Sequence, residues 1–498
     1  MTFRQGLFRL LVLIGLILVV MGGGGLYLMS PAFRSPTPAI FAPPRTQAEA
    51  NRQDLAYASR SLHTLDRSFS AAEWVEFDRG IAALSLRADK LDAAALELGL
   101  SKVVAAANNG HTNLLGVARG LTLNAVPLRL YWFADGLYVV STDSAHTQFL
   151  GAKVLSIGGR TPETLVDLLQ PYVGGRDSLR RELSIFLMES PQALHAAGLQ
   201  DTALSTRYGF QTLDGSAVVE IIAADKIAAA GPPPERTLQT LKFDPRELHW
   251  PRRELSPVRL PRRALYPHRV DGGNIARHIL AGRALAVSLQ HPDRFYWSTT
   301  LLPSGALYLQ INAMINEPGG QTLSSFLKQS LGQVVARRPR CVIVDLRANP
   351  GGSYQLTADF ARDLPKVMPR GGKIFILTSA NTFSAAVITA ARLKYFAGSN
   401  GQIIGSSMGD NPQFWAEAAG RIVLPNSGIR IGYATGYHDW QHGCSLREIY
   451  VCYLPNYIMG VAAGDIEPAI RVSWSFADYL AGHDTLLDRI TSTLETPQ

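Results

Sequence analysis

Ser384 stands in ILTSANTFSAAVITAARLKYF (Ile376–Phe396), where an apolar strand-like run gives way to a helix-like one. A serine at that junction can act as a nucleophile, because the Ala385 N–H and the positive end of the helix would face negative charge developing on an attacked carbonyl. It can equally be a small packing residue in a first turn capped by Asn381 or Thr382. Val387, Ile388, Ala391 and Tyr395 follow at helical spacing, so Ser384 heads the apolar stripe of its helix. A serine nucleophile needs a base. Of the 11 histidines, His111 stands out because it follows Asn108, Asn109 and Gly110, residues that tolerate a left-handed helix end. A histidine there can also be favoured only by the helix dipole. Lys394 is excluded as the base: ten residues along one helix is about 15 Å.

DLRANPGGS (Asp345–Ser353) follows the strand-like run CVIV directly. Gly351 and Gly352 can bring backbone N–H groups close to an oxyanion or a phosphate, or can simply make a tight turn. The Gly-Lys-Ser/Thr ending of a phosphate-binding loop is absent. His438 and His442 could bind a metal if they lay on a helix, but no third ligand accompanies them. Neither a metal nor an organic cofactor is expected.

The elements that must position these residues alternate beyond Trp297. Strand-like ALYLQI, CVIVDL, KIFILTS and QIIGS are interleaved with helix-like QTLSSFLKQSLGQVVARR, YQLTADFARDL and AAVITAARLKYF. This is the pattern of βαβ units around a buried sheet, an α/β fold in which ligands gather outside the carboxyl ends of the strands. Upstream, Ser70 and Glu73 have capping-box spacing, and Leu96, Leu100, Val103, Val104 and Ala107 recur at helical intervals. VPLRLYWF, LYVVS and GAKVLSIGG read as strands, Thr161 and Pro162 open a helix, and Ala203 to Ile222 suits a hairpin.

These readings divide the chain into a signal anchor (1–29), a proline-rich spacer (30–49), a helical region (50–120), an α+β module (121–230), an extended connection (231–296) and an α/β core (297–498). The anchor rests on Arg4 and Arg9 ahead of the uncharged run Leu10 to Met29, close to the roughly 20 residues a membrane helix needs. It predicts a single N-terminal membrane helix with the bulk of the chain periplasmic or extracellular. Cleavage of this segment stays open, since Gly22 to Gly25 weaken the helix.

Composition agrees with a folded protein: 47% of the 498 residues are hydrophobic and 18% charged. The net charge of +8 is scattered, with no long basic run, so no nucleic-acid partner is expected. Cys341 reads as a buried thiol, and Cys444 and Cys452 can close a small loop in an oxidising compartment. GYHDWQHGCSLREIYVC would then be a clipped loop suited to a partner surface.

Taken in chain order, NNGHTNLL (Asn108–Leu115), VIVDLRANPGG (Val342–Gly352), LTSANTFSAA (Leu377–Ala386) and GDIEPAIRVSWSFADYLAGHD (Gly464–Asp484) resemble the tail-specific, or C-terminal-processing, serine peptidase family. The resemblance implies a crotonase- or ClpP-like α/β core, with the module at 121–230 in the place of a PDZ-like domain. It looks closer to the branch of the tricorn core protease and the interphotoreceptor retinoid-binding protein. That branch implies Ser384 as nucleophile, His111 as base, and Gly351 or Gly352 with Ala385 as oxyanion-hole amides. The lysine of the processing proteases has no counterpart, because Met408 and Gly409 stand in its neighbourhood. Asn109 replaces a frequent Asp and Val387 a frequent acid. The orienting glutamate is unmatched near Val461 and Ala462, which leaves Asp439, Glu448 and Asp465 as candidates. The expected activity is hydrolysis of periplasmic or extracellular polypeptide by a membrane-anchored serine peptidase. The alternative is a ligand- or peptide-binding protein on the same fold.

Overall fold

The computed structural model describes residues 14–20, 22–24, 35–114, 123–225, 277–291, 294–317, 319–418 and 420–495. Most of the expected anchor and of the extended connection lies outside them. Residues 14–20 and 22–24 are helical and exposed. Among the described residues no helix is long and apolar enough to cross a membrane, so the expected membrane helix has no support there.

Three longer helices follow: α1 (Gln47–Leu65), α2 (Ala71–Leu86) and α3 (Ala93–Val104). Ser70 and Glu73 form both halves of a capping box on α2. Beyond α3 a short 3₁₀ turn ends at Asn108 in the left-handed conformation, φ 45°, and delivers His111 just past it. The inner faces of these helices bury Leu55, Leu62, Phe77, Leu96 and Leu100 against Ile422, Leu424, Ile431 and Tyr433 from far along the chain.

The next unit is an antiparallel sheet of β1 (Leu128–Phe133), β2 (Gly136–Thr142), β3 (Lys153–Ile157), β4 (Ser205–Gln211) and β5 (Ala217–Ala223), in that spatial order. A short β6 (Arg277–His278) also pairs with β2. Between β3 and β4 run α4 (Pro162–Leu169), α5 (Asp177–Met188) and α6 (Pro191–Ala196). Thr161 and Pro162 start α4 as the sequence predicts. The sequence reading placed no helix over α5. Its Leu179, Leu183 and Leu187 recur at i+4 and are buried in the core of the module.

The last unit is a six-stranded sheet. β7 (Tyr296–Leu301) pairs antiparallel with β8 (Ala306–Ile311). Beyond β8 the pairing is parallel through β9 (Cys341–Asp345), β10 (Lys373–Thr378) and β11 (Gly401–Gly405). Helices α7 (Leu323–Arg337), α8 (Ala358–Val367) and α9 (Ala385–Ala397) make the crossovers. The expected helix YQLTADFARDL begins as a 3₁₀ turn at Tyr354–Thr357 before α8. Two ribbons follow, β12 (Gln413–Ala416) with β15 (Gly436–Asp439) and β13 (Ile422–Val423) with β14 (Arg430–Ile431). Cys444 and Cys452 are joined by a disulfide, and Cys341 is a buried free thiol. After α10 (Pro455–Met459), β16 (Ile470–Arg471) adds a parallel edge to β11, and α11 (Phe476–Ala481) and α12 (Thr485–Glu495) close the chain.

One buried ionic cluster fastens this end to the sheet. The Arg347 guanidinium donates to Asp345 at 2.6 Å and to Asp484 at 2.7 Å, and Ser288 Oγ donates to Asp484 as well. Burial pushes the Asp484 carboxyl up, but Arg347 outweighs it and holds the group below its ordinary value. Removing one partner of a buried ion pair leaves a charge poorly compensated. Asp484→Ala is therefore expected to lower unfolding free energy by about 3 kcal/mol in urea titrations. A loss under about 1 kcal/mol would show that this pair is not what fastens the C-terminal segment.

Candidate active site

The loops after β8, β9, β10 and β11 leave the sheet side by side at its carboxyl edge. Side-chain oxygens lace the second of them to the third. Ser379 Oγ donates to the Arg347 carbonyl at 2.6 Å, Thr382 Oγ1 to that of Leu346 at 2.9 Å, and the Phe383 N–H to that of Asn349 at 3.0 Å. Gly409 N–H donates to the Thr382 carbonyl at 3.0 Å, which adds the fourth loop.

Ser384 occupies the turn into α9 with φ 56° and ψ −122°, a backbone conformation rare for a residue with a side chain. It holds the N-cap position, yet its hydroxyl accepts no capping hydrogen bond. Asn381 and Thr382 do not cap α9 either: Asn381 Nδ2 donates to Glu182, and Thr382 Oγ1 accepts from Ser379 N–H. A strained strand-to-helix turn with a hydroxyl left out of the cap is the arrangement by which nucleophilic serines are presented. α9 itself is buried on nearly every side from Ala385 to Leu393, so it is a core helix rather than one with a single apolar stripe.

Gly351 lies against this turn. A Cβ added to it, at φ 99°, would sit 2.8 Å from Ser384 Cβ and 3.1 Å from Ala385 N, contacts that leave room only for glycine. Its own N–H is engaged by Asn349 Oδ1 at 2.8 Å. Of the amides expected to bind an oxyanion, that leaves Gly352 and Ala385.

His111 arrives from the helical region, nearly three hundred residues away in sequence. Its ring stacks on Phe383, the neighbour of Ser384, with centroids 4.6 Å apart, and on Phe414 of β12 at 5.6 Å. Nε2 of His111 lies 3.1 Å from Oδ2 of Asp410, whose side chain is only 4% exposed. A carboxylate can only accept, so this contact places the proton of a neutral ring on Nε2 and leaves Nδ1 as its unprotonated nitrogen.

Asp410 did not emerge from the sequence reading, although the loop after QIIGS ends at it and the rule of strand carboxyl ends points there. The three acids that did emerge lie elsewhere. Asp439 accepts from the Gln441 and His442 amides, Glu448 caps Ser445, and Asp465 accepts from Glu467 N–H. His438 and His442 do not lie on a helix: His438 is in β15 with Nδ1 against Asn456, and His442 pairs with Asp439.

No family model matches the sequence, and no curated protein matches it. Solved structures do. Mature CPAF superposes with a TM-score of 0.55 at 13% identity, covering 89% of this chain and 96% of that one. The chain has the fold of mature CPAF. CPAF complexed with lactacystin gives 0.53 at 12% identity, over 90% and 98% of the two chains. The photosystem II D1 C-terminal processing protease aligns over 90% of this chain with a TM-score of 0.36 at 11% identity. On the CPAF fold, the motif loops of this chain fall together at one edge of the sheet.

Glu182 of α5 supports the serine turn from below through Asn381. Burial pushes its carboxyl up to about 7, against the lowering effects of Asn381 and Arg181. A carboxyl that binds its proton more tightly when folded contributes stability that is complete below its unfolded value, 4.5, and is lost as pH rises through about 7. Glu182→Gln should therefore be more stable than the parent at pH 8, on the order of 3 kcal/mol, and close to it at pH 4.5. Equal thermal shifts at both pH values would show that Glu182 is not protonated on folding.

Proposed function

We propose that this protein is a serine peptidase. The observation that carries the reading is the His111–Asp410 pair stacked on Phe383, the residue beside the strained Ser384. Ser384 Oγ attacks the scissile carbonyl, and His111 Nδ1 takes its proton and returns it to the leaving amine. Asp410 holds the ring and stabilises the imidazolium as it forms. The Gly352 and Ala385 amides, at the positive end of α9, bind the oxyanion. Water then hydrolyses the acyl-enzyme by the same proton path in reverse. The fold likeness to CPAF and the resemblance of the motifs to tail-specific peptidases support the same chemistry. The use of a histidine rather than a lysine follows the tricorn-like branch.

The finer parts of the reading rest on the sequence. The substrate is an exported polypeptide, and the chain is held to a membrane through the run Leu10 to Met29 with its bulk periplasmic or extracellular. The Cys444–Cys452 disulfide favours such an oxidising compartment. The module between β1 and β5 selects substrate as a PDZ-like domain does, by adding peptide as an extra strand. The rival reading is a non-catalytic binding protein, and the Asp410 carboxylate against His111 weighs against it.

A fluorophosphonate probe tests the reading. The parent protein should form one adduct at Ser384, Ser384→Ala none, and Asp410→Asn should label roughly 10² to 10⁴ times more slowly. Lactacystin, bound in a CPAF structure, is a second probe for the same serine. A folded parent protein that forms no adduct with the fluorophosphonate would overturn the assignment.

A further inference from the structure

Asp410 sits on a loop that must be held if its carboxylate is to meet His111. Leaving β11 at Gly405, the loop is tied on one side to the serine turn, by Ser406 N–H to the Thr378 carbonyl and Gly409 N–H to that of Thr382. Its other side is tied to the N-terminal end of α5 in the module. Ser178 Oγ donates to the Met408 carbonyl at 2.6 Å, and Arg176 Nη1 approaches the Asp410 carbonyl at 3.4 Å. The same guanidinium pairs through Nη2 with Glu467 Oε1. Glu467 uses its second oxygen to accept from Ser407 Oγ at 2.7 Å, and Arg471 Nη2 stands 3.4 Å from it.

We infer that Arg176 and Glu467 are positioning residues for the reaction, acting together as a latch that sets the Asp410 carboxylate against His111. The inference rests on the reading of Asp410 as the orienting acid. Arg176 and Glu467 are 291 positions apart, and each reaches the loop independently, one through the Asp410 carbonyl and the other through Ser407. With side chains 21% and 26% exposed, the pair is sheltered more than a surface ion pair, where geometry is loosely kept. A structural pin between module and core would require only that the two residues meet each other. Here both also grip the loop on either side of Met408, so their loss should move Asp410 rather than only loosen the two units.

The test is the second-order rate of Ser384 labelling by a fluorophosphonate across pH 5 to 9 in Arg176→Met, Glu467→Gln and Asp410→Asn, alone and combined. Displacement of a supporting group by an ångström costs roughly 100-fold in rate. The latch predicts losses of about 10- to 100-fold for Arg176→Met and Glu467→Gln, with a pH profile altered in the direction seen for Asp410→Asn. It further predicts less than about a two-fold extra loss when either change is added to Asp410→Asn, because the residues act through one group. Losses that multiply in the double variants, or single variants with the parent rate and pH profile, would overturn it. If the parent protein does not label at all, the peptidase reading fails while the latch is still decided by ¹⁵N spectra of His111. A parent Nε2–H signature that Arg176→Met abolishes supports the latch, and one that it leaves unchanged refutes it. Urea titration of Glu467→Gln verifies that the variant compared is folded.

Discussion

Ser384 lies on a seam between two hydrophobic clusters. Phe383, immediately before it, is buried among Leu179, Leu183 and Phe186 of the module, whereas Ala385 to Ile388, immediately after it, are buried with the sheet core. Two residues, one on each side of Ser384, are pulled into different cores and fix the direction of the chain before and after it, and the serine between them takes up the difference at φ 56°. Such a conformation costs about 1–3 kcal/mol. The bonds from Ser379, Thr382 and Phe383 to the loop after β9 are of the right number to offset it, at about 1 kcal/mol each.

That loop could not offer its carbonyls without its own anchor. Arg347, whose carbonyl accepts from Ser379, is held by Asp345 beneath it and by Asp484 from the end of the chain. Tyr308 Oη donates to the same Asp345 at 2.6 Å and extends the cluster to β8. The serine turn is therefore tied to the ionic cluster directly, through the Arg347 carbonyl. The glycines act above: Gly351 admits Ser384 Cβ, and Gly352 lets the Met314 backbone come within van der Waals reach. Glycine composition and buried charge are parts of the same device, since the close approach needs loops that do not drift.

Much of this was legible in the sequence because it is local. The alternation of β8 to β11 with α7 to α9, the Ser70–Glu73 box and the left-handed Asn108 all follow from patterns within a few residues. Strand ends also located the serine and glycine loops. Asp410 is the one acid in the loop Ser406 to Asp410 and lies past a strand end, but only the fold pairs it with His111, across 299 positions. Asp439, Glu448 and Asp465 looked equally suitable as residue types, yet each is taken up by its own turn. α5 follows Gly174 and Gly175, residues that ordinarily interrupt a helical pattern. Those glycines instead let the chain pass Asn109 and Gly110 closely enough to seat the helix beneath His111.

The imidazole of His111 is limited in two independent ways. Phe383 and Phe414 stack on it with interplanar angles of 28° and 12°, which fixes the plane of the ring but not its rotation within that plane. Asp410 fixes the rotation by holding Nε2. Stacking comes from the serine turn and β12, while the acid comes from the loop after β11, so neither element alone defines where Nδ1 faces. The second limit is electrostatic as well as geometric, because the buried Asp410 carboxylate lies against a ring that is itself largely sheltered from water. A ring held by the acid alone would be free to tilt away. The ring's placement requires both, so its parts are drawn from the helical region, the serine turn, β12 and the loop after β11 at once.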